Sequence, residues 1–280
     1  MGSRISTILL CLAILPAARS ATPALSVVVA DGTVDARRLV PYDNAFAVTY
    51  EVANGEKIET GIWSDQLRIR DIGGRKAWVR TQSLASFTGL VLTSVNIFDP
   101  VTFAPISAVL KNRDGARQYW TYTGATAEGR LYSPDGKETI KSIKFSKPAF
   151  DFNCCMASLI PAALPLAASK DFALPGVPAS DGRPDIYPFH VRNRERINAG
   201  YLGTVDAWPV EFRPPTGGLV TFWITDNPRR LVRERLEGFP MKTCPPPDVP
   251  EHASCQAQTP SAGLQFNQSF DMIGGAGRRS

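Results

Sequence analysis

The sequence predicts an all-β fold, a curved antiparallel β-barrel or half-barrel with one short apolar helix. Short runs of alternating apolar and polar residues recur along most of the chain, which is the period of a strand with one buried face. Turn signals separate these runs at short intervals, in a chain with 23 Pro and 22 Gly. One stretch departs from the pattern. Phe150 to Leu174 is apolar, alanine-rich and poor in β-branched residues, a composition that favours helix.

The first twenty residues read as a secretory signal. Arg4 gives a charged start, Ile5 to Leu15 an apolar run, and Ala18-Arg19-Ser20 small residues at the cleavage positions. That run is short for a membrane span, and no other stretch reaches ~18 apolar residues, so no transmembrane span is expected after cleavage. Export places the chain in the periplasm. Residues 21–44 are then a lead-in, 45–239 the barrel domain, and 240–280 a Pro- and Gly-rich loop with a disordered tail.

Within the barrel, Phe46, Val48, Tyr50 and Val52 alternate with Ala47, Thr49 and Glu51, and Asn54-Gly55 turns the chain into Ile58 to Trp63. Leu67 and Ile69 alternate with Arg68 and Arg70, and Gly73-Gly74 makes the next turn. Lys76, Trp78 and Arg80 then share the face opposite Ala77, Val79 and Thr81. Phe87, Leu90, Val91, Ser94, Val95 and Phe98 fall at helical spacing, so a helical turn is expected from Ser86. Phe103 to Leu110, the Gln118-Trp120-Tyr122 face and the Leu131 to Phe145 hairpin continue the strands. The central helix starts at Asp151 or Asn153 as cap, with Pro161 and Pro165 interrupting it. Ile186 to Ile197, Tyr201 to Phe212, Leu219 to Thr225 and Leu231 to Leu236 are four further strands.

The order of several weak motifs carries a resemblance. Tyr50-Glu51-Val52 opens paired strands, and an Asp99-x-x-Thr102-Phe103-x-Pro105 turn follows. The helix at Asp151 comes next, and then Phe222-Trp223-Ile224 with Asp226-x-Pro228-Arg229-Arg230-Leu231-Val232. From Ala45 to Glu237 the chain resembles the exported bacterial domain-of-unknown-function family three-one-zero-eight, which is similar to small periplasmic β-barrel proteins. The resemblance implies a curved antiparallel barrel, a cell-envelope location and no assigned reaction. That family usually has an Arg in the apolar helix, where this chain has Ser158-Leu159-Ile160-Pro161.

No catalytic constellation stands out. There is no Gly-x-Ser-x-Gly and no phosphate-binding Gly loop. The two histidines, His190 and His252, are far apart in sequence and lack metal-ligand spacing, so no metal and no cofactor is expected. A formal charge of +5 is too small to imply nucleic acid. In an oxidising compartment Cys244 and Cys255, bracketing a Pro-rich loop, are expected to form a disulfide, whereas the adjacent Cys154 and Cys155 pair elsewhere or stay as small apolar residues. Arg192, Arg194 and Arg196 alternate, and with Arg233 they could form a ridge for anionic groups; the competing reading is an outer face neutralised by Glu195, Glu234 and Glu237. Leu159 and Leu164 of the helix, with Trp120, Tyr122 and Phe222 of the strands, are the expected lining of a cavity for an apolar or lipid-like ligand. The function expected is binding without catalysis. The alternative is an envelope structural protein with a filled barrel and a protein partner.

N-terminal sequencing of the mature protein is expected to begin at Ala21 or within a few residues. A chain retaining Met1 or acylated at Cys11 overturns export by a cleaved signal.

Overall fold

Tyr42, Asn44, Phe46 and Val48 of the strand Tyr42–Glu51 (β2, after a short Leu25–Ser26, β1) are buried. The alternation read from sequence therefore sets an inward face there. The computed structural model describes residues 24–51, 55–152, 156–178, 185–214, 217–240 and 265–275. The signal segment, Asn153, all five cysteines and His252 lie outside the described residues.

From β2 the sheet grows by antiparallel neighbours. These are Lys57–Ile72 (β3), Arg75–Ser86 (β4), Gly89–Phe98 (β5), Pro105–Asn112 (β6), Arg117–Thr123 (β7), Thr126–Tyr132 (β8) and Glu138–Lys144 (β9). Then come Phe150–Phe152 (β10), a four-residue helix Ile160–Ala163 (α1), Lys170–Pro178 (β11), Asp185–Val191 (β12) and Glu195–Asn198 (β13). Thr204–Phe212 (β14), Leu219–Asp226 (β15), Arg229–Pro240 (β16) and Gln265–Gly275 (β17) complete the sheet.

The second half pairs in its own series. β12 and β13 share one side of β14, and β14, β15, β16 and β17 follow in order. At the other end β11 pairs antiparallel with β12 and parallel with both β1 and β10. β17 pairs with β16 on one side and β2 on the other, so it joins the two halves. Among the described residues no ladder joins β9 to β10 or β11; side chains bridge the ends instead. Asn96 Nδ2 on β5 donates to the buried Asp151 of β10 at 2.9 Å, and the Phe150 and Phe103 rings meet edge-on at 6.3 Å.

Several expectations are corrected. The short apolar helix is present as α1, but the rest of the stretch Asp151 to Leu174 expected to belong to it is β10 and β11. Pro161 sits in the first turn of α1, where it is tolerated, and Leu164 turns extended before Pro165. Beyond it Phe172 and Leu174 alternate into the core as a strand, and Asp151 is a strand residue, not a cap. No helix forms from Ser86. The apolar residues there lie on both faces of β5, and only Ser94, Asn96 and Phe98 are buried. Ile186 to Ile197 is two strands, broken at Arg192 to Arg194. The lead-in is core, with Val27, Val34, Ala36 and Leu39 buried, and β17 comes from the tail expected to be disordered. The barrel therefore reaches beyond 45–239 on both sides.

Two segments plug one end of the shell. Asp35 N–H donates to the Ala163 carbonyl at 3.0 Å, and Ala36 N–H to the Val101 carbonyl at 3.0 Å. Trp78 Nε1 donates to the Ala36 carbonyl at 3.2 Å, and Arg229 Nη1 to the Leu164 carbonyl at 2.7 Å. The β3–β4, β5–β6 and β15–β16 turns lie at this end, whereas the β2–β3, β4–β5 and β14–β15 turns lie at the other.

A chain ending after residue 264 leaves the facing backbones of β16 and β2 without partners and is expected to lose cooperative thermal unfolding. Met272→Ala, at a fully buried position of β17, is expected to cost about 2–5 kcal/mol in denaturant titration. An unchanged melting curve for the truncation overturns the joining role of β17.

Candidate functional site, a cavity inside the barrel

A cavity of about 310 Å³ lies between the plug and the unplugged end. Its wall is mostly apolar: Phe46 and Tyr50 of β2, Trp63 of β3, Leu84 of β4, Phe212, Val220 and Phe222 of β14 and β15, Leu231 and Leu236 of β16, and Phe270 of β17. Ala157 and Ser158, just before α1, form its floor. Aromatic packing stiffens one side: the Phe189 and Phe212 rings stack at 4.9 Å and the Phe212 and Phe222 rings at 6.3 Å. Five polar or charged side chains enter this apolar space, from Asp65, Arg80, Ser158, Glu234 and Gln268.

Asp65 and Arg80 are each 1% exposed. Arg80 Nε donates to Asp65 Oδ1 at 2.9 Å and Nη2 to Oδ2 at 2.7 Å, a bidentate pair. Arg80 Nη2 also donates to Ser158 Oγ at 2.8 Å, tying the plug to the wall. Tyr42 Oη donates to Asp65 Oδ2 at 3.0 Å, and burial, with the Asp65 charge, pushes that phenol well above its ordinary range. With its oxygen turned towards them, the Gln82 amide accepts from Trp63 Nε1 at 3.0 Å and Arg80 Nη2 at 3.1 Å.

Glu234 differs. Among the described residues its carboxyl has no hydrogen-bond or ion-pair partner, although it faces the cavity beside Arg80 and Asp65. Burial pushes it from 4.5 up to about 7, with Arg80 opposing the rise and Asp65 adding to it. The arrangement can therefore receive an apolar body and offer one titrating carboxyl to a polar group.

The structure places the predicted site residues in several different environments. Phe222 lines the cavity. Leu159 and Leu164, 2% and 0% exposed, are packed into the main core and do not line it. Trp120 and Tyr122 belong to a separate small cluster with Ala108, Ala127 and Ala149, away from the cavity. Gly129 seats the Trp120 ring, since an added Cβ would lie 2.6 Å from it.

The arginines form no free basic ridge. Arg192 pairs with Glu211 at 3.4 Å, Arg194 with Asp226 at 2.8 Å, Arg196 with Asp206 at 3.7 Å and Arg233 with Asp271 at 2.6 Å. Arg194 and Arg233 also lie over the Trp208 and Trp223 rings. Of the three glutamates expected to neutralise that face, Glu237 pairs with Arg235, Glu195 accepts from Trp223 Nε1, and Glu234 faces the cavity. Half-exposed His190 pairs with Asp171 across β11 and β12 at 2.7 Å. Among the described residues no group of His, Cys, Asp and Glu could hold a metal, and no helix is long and apolar enough to cross a membrane. Cys244 and Cys255 lie outside the described residues.

Asp65, Arg80, Ser158, Glu234 and Gln268 were not singled out from sequence as site residues. A signal existed for two of them: Arg80 shares strand parity with Trp78 and Leu84, and Glu234 with Leu236.

A second cleft of about 510 Å³ runs along the seam between β9 and β1, β11 and β12. Its Lys144, Ser146, Lys147 and Ile186 are exposed and it has no buried charge, so it lacks the cavity's convergent polar groups.

The family described as protein of unknown function (DUF3108) matches residues 45–241. The chain belongs to this family. A crystal structure of a β-barrel-like protein of the domain of unknown function DUF1849 from Brucella abortus is similar in fold, at 11% identity and a TM-score of 0.50, covering 85% of this chain and 98% of that one. No curated protein matches. The DUF3108 match ends at 241, so β17 lies outside it.

The raised Glu234 carboxyl sets a pH dependence. A carboxyl with a higher affinity for its proton in the folded state leaves stability whole below about pH 4.5 and erodes it as pH rises towards about 7. Glu234→Gln is therefore expected to match the wild type near pH 4. Above pH 7.5 it should be the more stable by on the order of 3 kcal/mol in denaturant unfolding. Parallel pH profiles overturn the cavity-facing, partly buried placement of this carboxyl.

Proposed function

We propose that this protein is an exported, non-catalytic carrier of the cell envelope that holds an apolar or lipid-like molecule in the barrel cavity. The observation that carries the reading is an apolar space of about 310 Å³ with convergent polar groups at one level, within the range of small-molecule sites. A filled barrel of this size would have no need to leave such a space, because protein interiors otherwise pack to crystal-like density.

The unplugged end supports the same reading. Cavity residues Tyr50, Leu84, Val220 and Leu236 sit at the strand ends there. The β4–β5 turn at that end displays Phe87, 80% exposed, and Leu90, 53% exposed. An apolar rim beside an apolar cavity suits a molecule that enters from a membrane or another carrier. The N-terminal signal pattern supports a periplasmic location for this activity.

A second reading, an envelope interaction protein, rests on one observation. β9 pairs only with β8 among the described residues and displays Ile140, 71% exposed, a strand edge on which a partner strand can add.

Native mass spectrometry of the mature protein from its own envelope fraction tests the carrier. A co-purified apolar molecule is expected, together with uptake of an uncharged fluorescent apolar dye. Leu84→Trp, which fills the cavity, is expected to weaken dye binding at least about tenfold while the protein still melts cooperatively. A wild type that neither co-purifies a lipid nor takes up dye overturns the carrier and leaves the interaction reading.

A further inference from the structure

We infer that Glu234 is the polar anchor of the cavity, and that the molecule it selects is an amphiphile whose head donates a hydrogen bond and is not anionic. This rests on the carrier reading above and names the ligand class for it.

The charged groups that face Glu234 are already matched with one another. On β3 and β4, Asp65 and Arg80 satisfy one another, and Arg80 also reaches Ser158 below. Tyr42 of β2 is committed to Asp65. β15 presents Phe222, which carries no charge, and β17 presents Gln268 and Phe270. In register Glu234 faces Phe270, and Gln268, paired with Leu236, is its diagonal neighbour on the same face. Arg80 and Asp65 cancel in charge, so an ionised Glu234 leaves the cavity with an unbalanced negative charge.

A carboxyl in an apolar space without a hydrogen-bond partner is costly, and native proteins keep such groups where a ligand or function uses them. The group accepts from an alcohol or an amine in either protonation state, and its charge favours a cationic head further. An anionic head meets a like charge at short range in a low-dielectric space, which disfavours it. Arg80, the only cation lining the cavity among the described residues, has spent its planar face on Asp65 and is a poor partner for a ligand carboxylate. The selectivity should therefore be for head groups, with the apolar wall tolerant of the chain.

Dye displacement by 1-decanol, decylamine and decanoic acid tests this, at about pH 5 and about pH 8.5, on the wild type, Glu234→Gln and the Leu84→Trp control. In the wild type at the higher pH, decanol and decylamine are expected to displace the dye at least about tenfold better than decanoic acid. Glu234→Gln should shrink that gap to less than about threefold and weaken decylamine most. The alcohol and amine arms distinguish a neutral from a cationic natural head. Equal displacement by all three heads, or an order unchanged in Glu234→Gln, overturns the anchor while leaving the carrier standing. Absence of dye binding to the wild type overturns the carrier and the anchor together.

Discussion

The pairing of β17 with both β16 and β2 is the constraint on which the rest of the structure depends. A sheet of this length has two series of hairpins, one running from β2 to β9 and the other from β11 to β16. Each series is held by local antiparallel neighbours, and the two share one hydrophobic core, but among the described residues only β17 joins them by backbone ladders. β17 does so through backbone hydrogen bonds that a bare edge would otherwise leave to water or to another chain. It also brings Gln268, Phe270 and Met272 inward, so the segment that closes the sheet supplies part of the cavity wall.

Once the two halves are joined, the interior divides. At one end Leu159, Ile160 and Leu164 pack into one core with the lead-in residues Val34 and Ala36. At the other end large aromatics pack in pairs along the wall, Phe212 on Phe222 and Trp63 on Phe270, and a void remains between the pairs. The Asp65–Arg80–Ser158 connection marks the boundary between the two regions. It joins wall to plug through charge-assisted bonds, and breaking a buried pair of this kind by removing one partner typically costs about 3–5 kcal/mol. Because Asp65 takes the guanidinium, Glu234 is left to titrate in an apolar setting. The chemistry of the cavity is thus a consequence of which carboxylate Arg80 satisfies.

Much of the fold was legible in the sequence because it depends on local chemistry. Alternation from Phe46 to Tyr50 reports an inward face directly, and Gly73-Gly74 and Pro134-Asp135-Gly136 mark turns by backbone conformation alone. The errors came where composition outweighed period. Ala-rich Phe150 to Leu174 has a helical composition, yet its prolines limit the helix to α1, its two ends pair with each other in parallel, and the second also pairs with β1, remote in the chain. Gln265 to Gly275 looked disordered because its strand character is supplied by neighbours on both sides, and not by its own residues.

For the candidate site the division is sharper. Taken alone, the sequence determined an all-β shell with a short apolar interruption, and it put Phe222 on an inward strand face. Only the tertiary structure decided which apolar residues meet and which leave a gap, because a cavity is the absence of contact between residues far apart in the chain. It also decided that Arg80 answers Asp65 across one hairpin and reaches Ser158 from a distant segment, while Glu234 answers no one. Strand parity alone could turn Glu234 inward, but whether an inward carboxyl is paired or free depends on distances that no single strand contains.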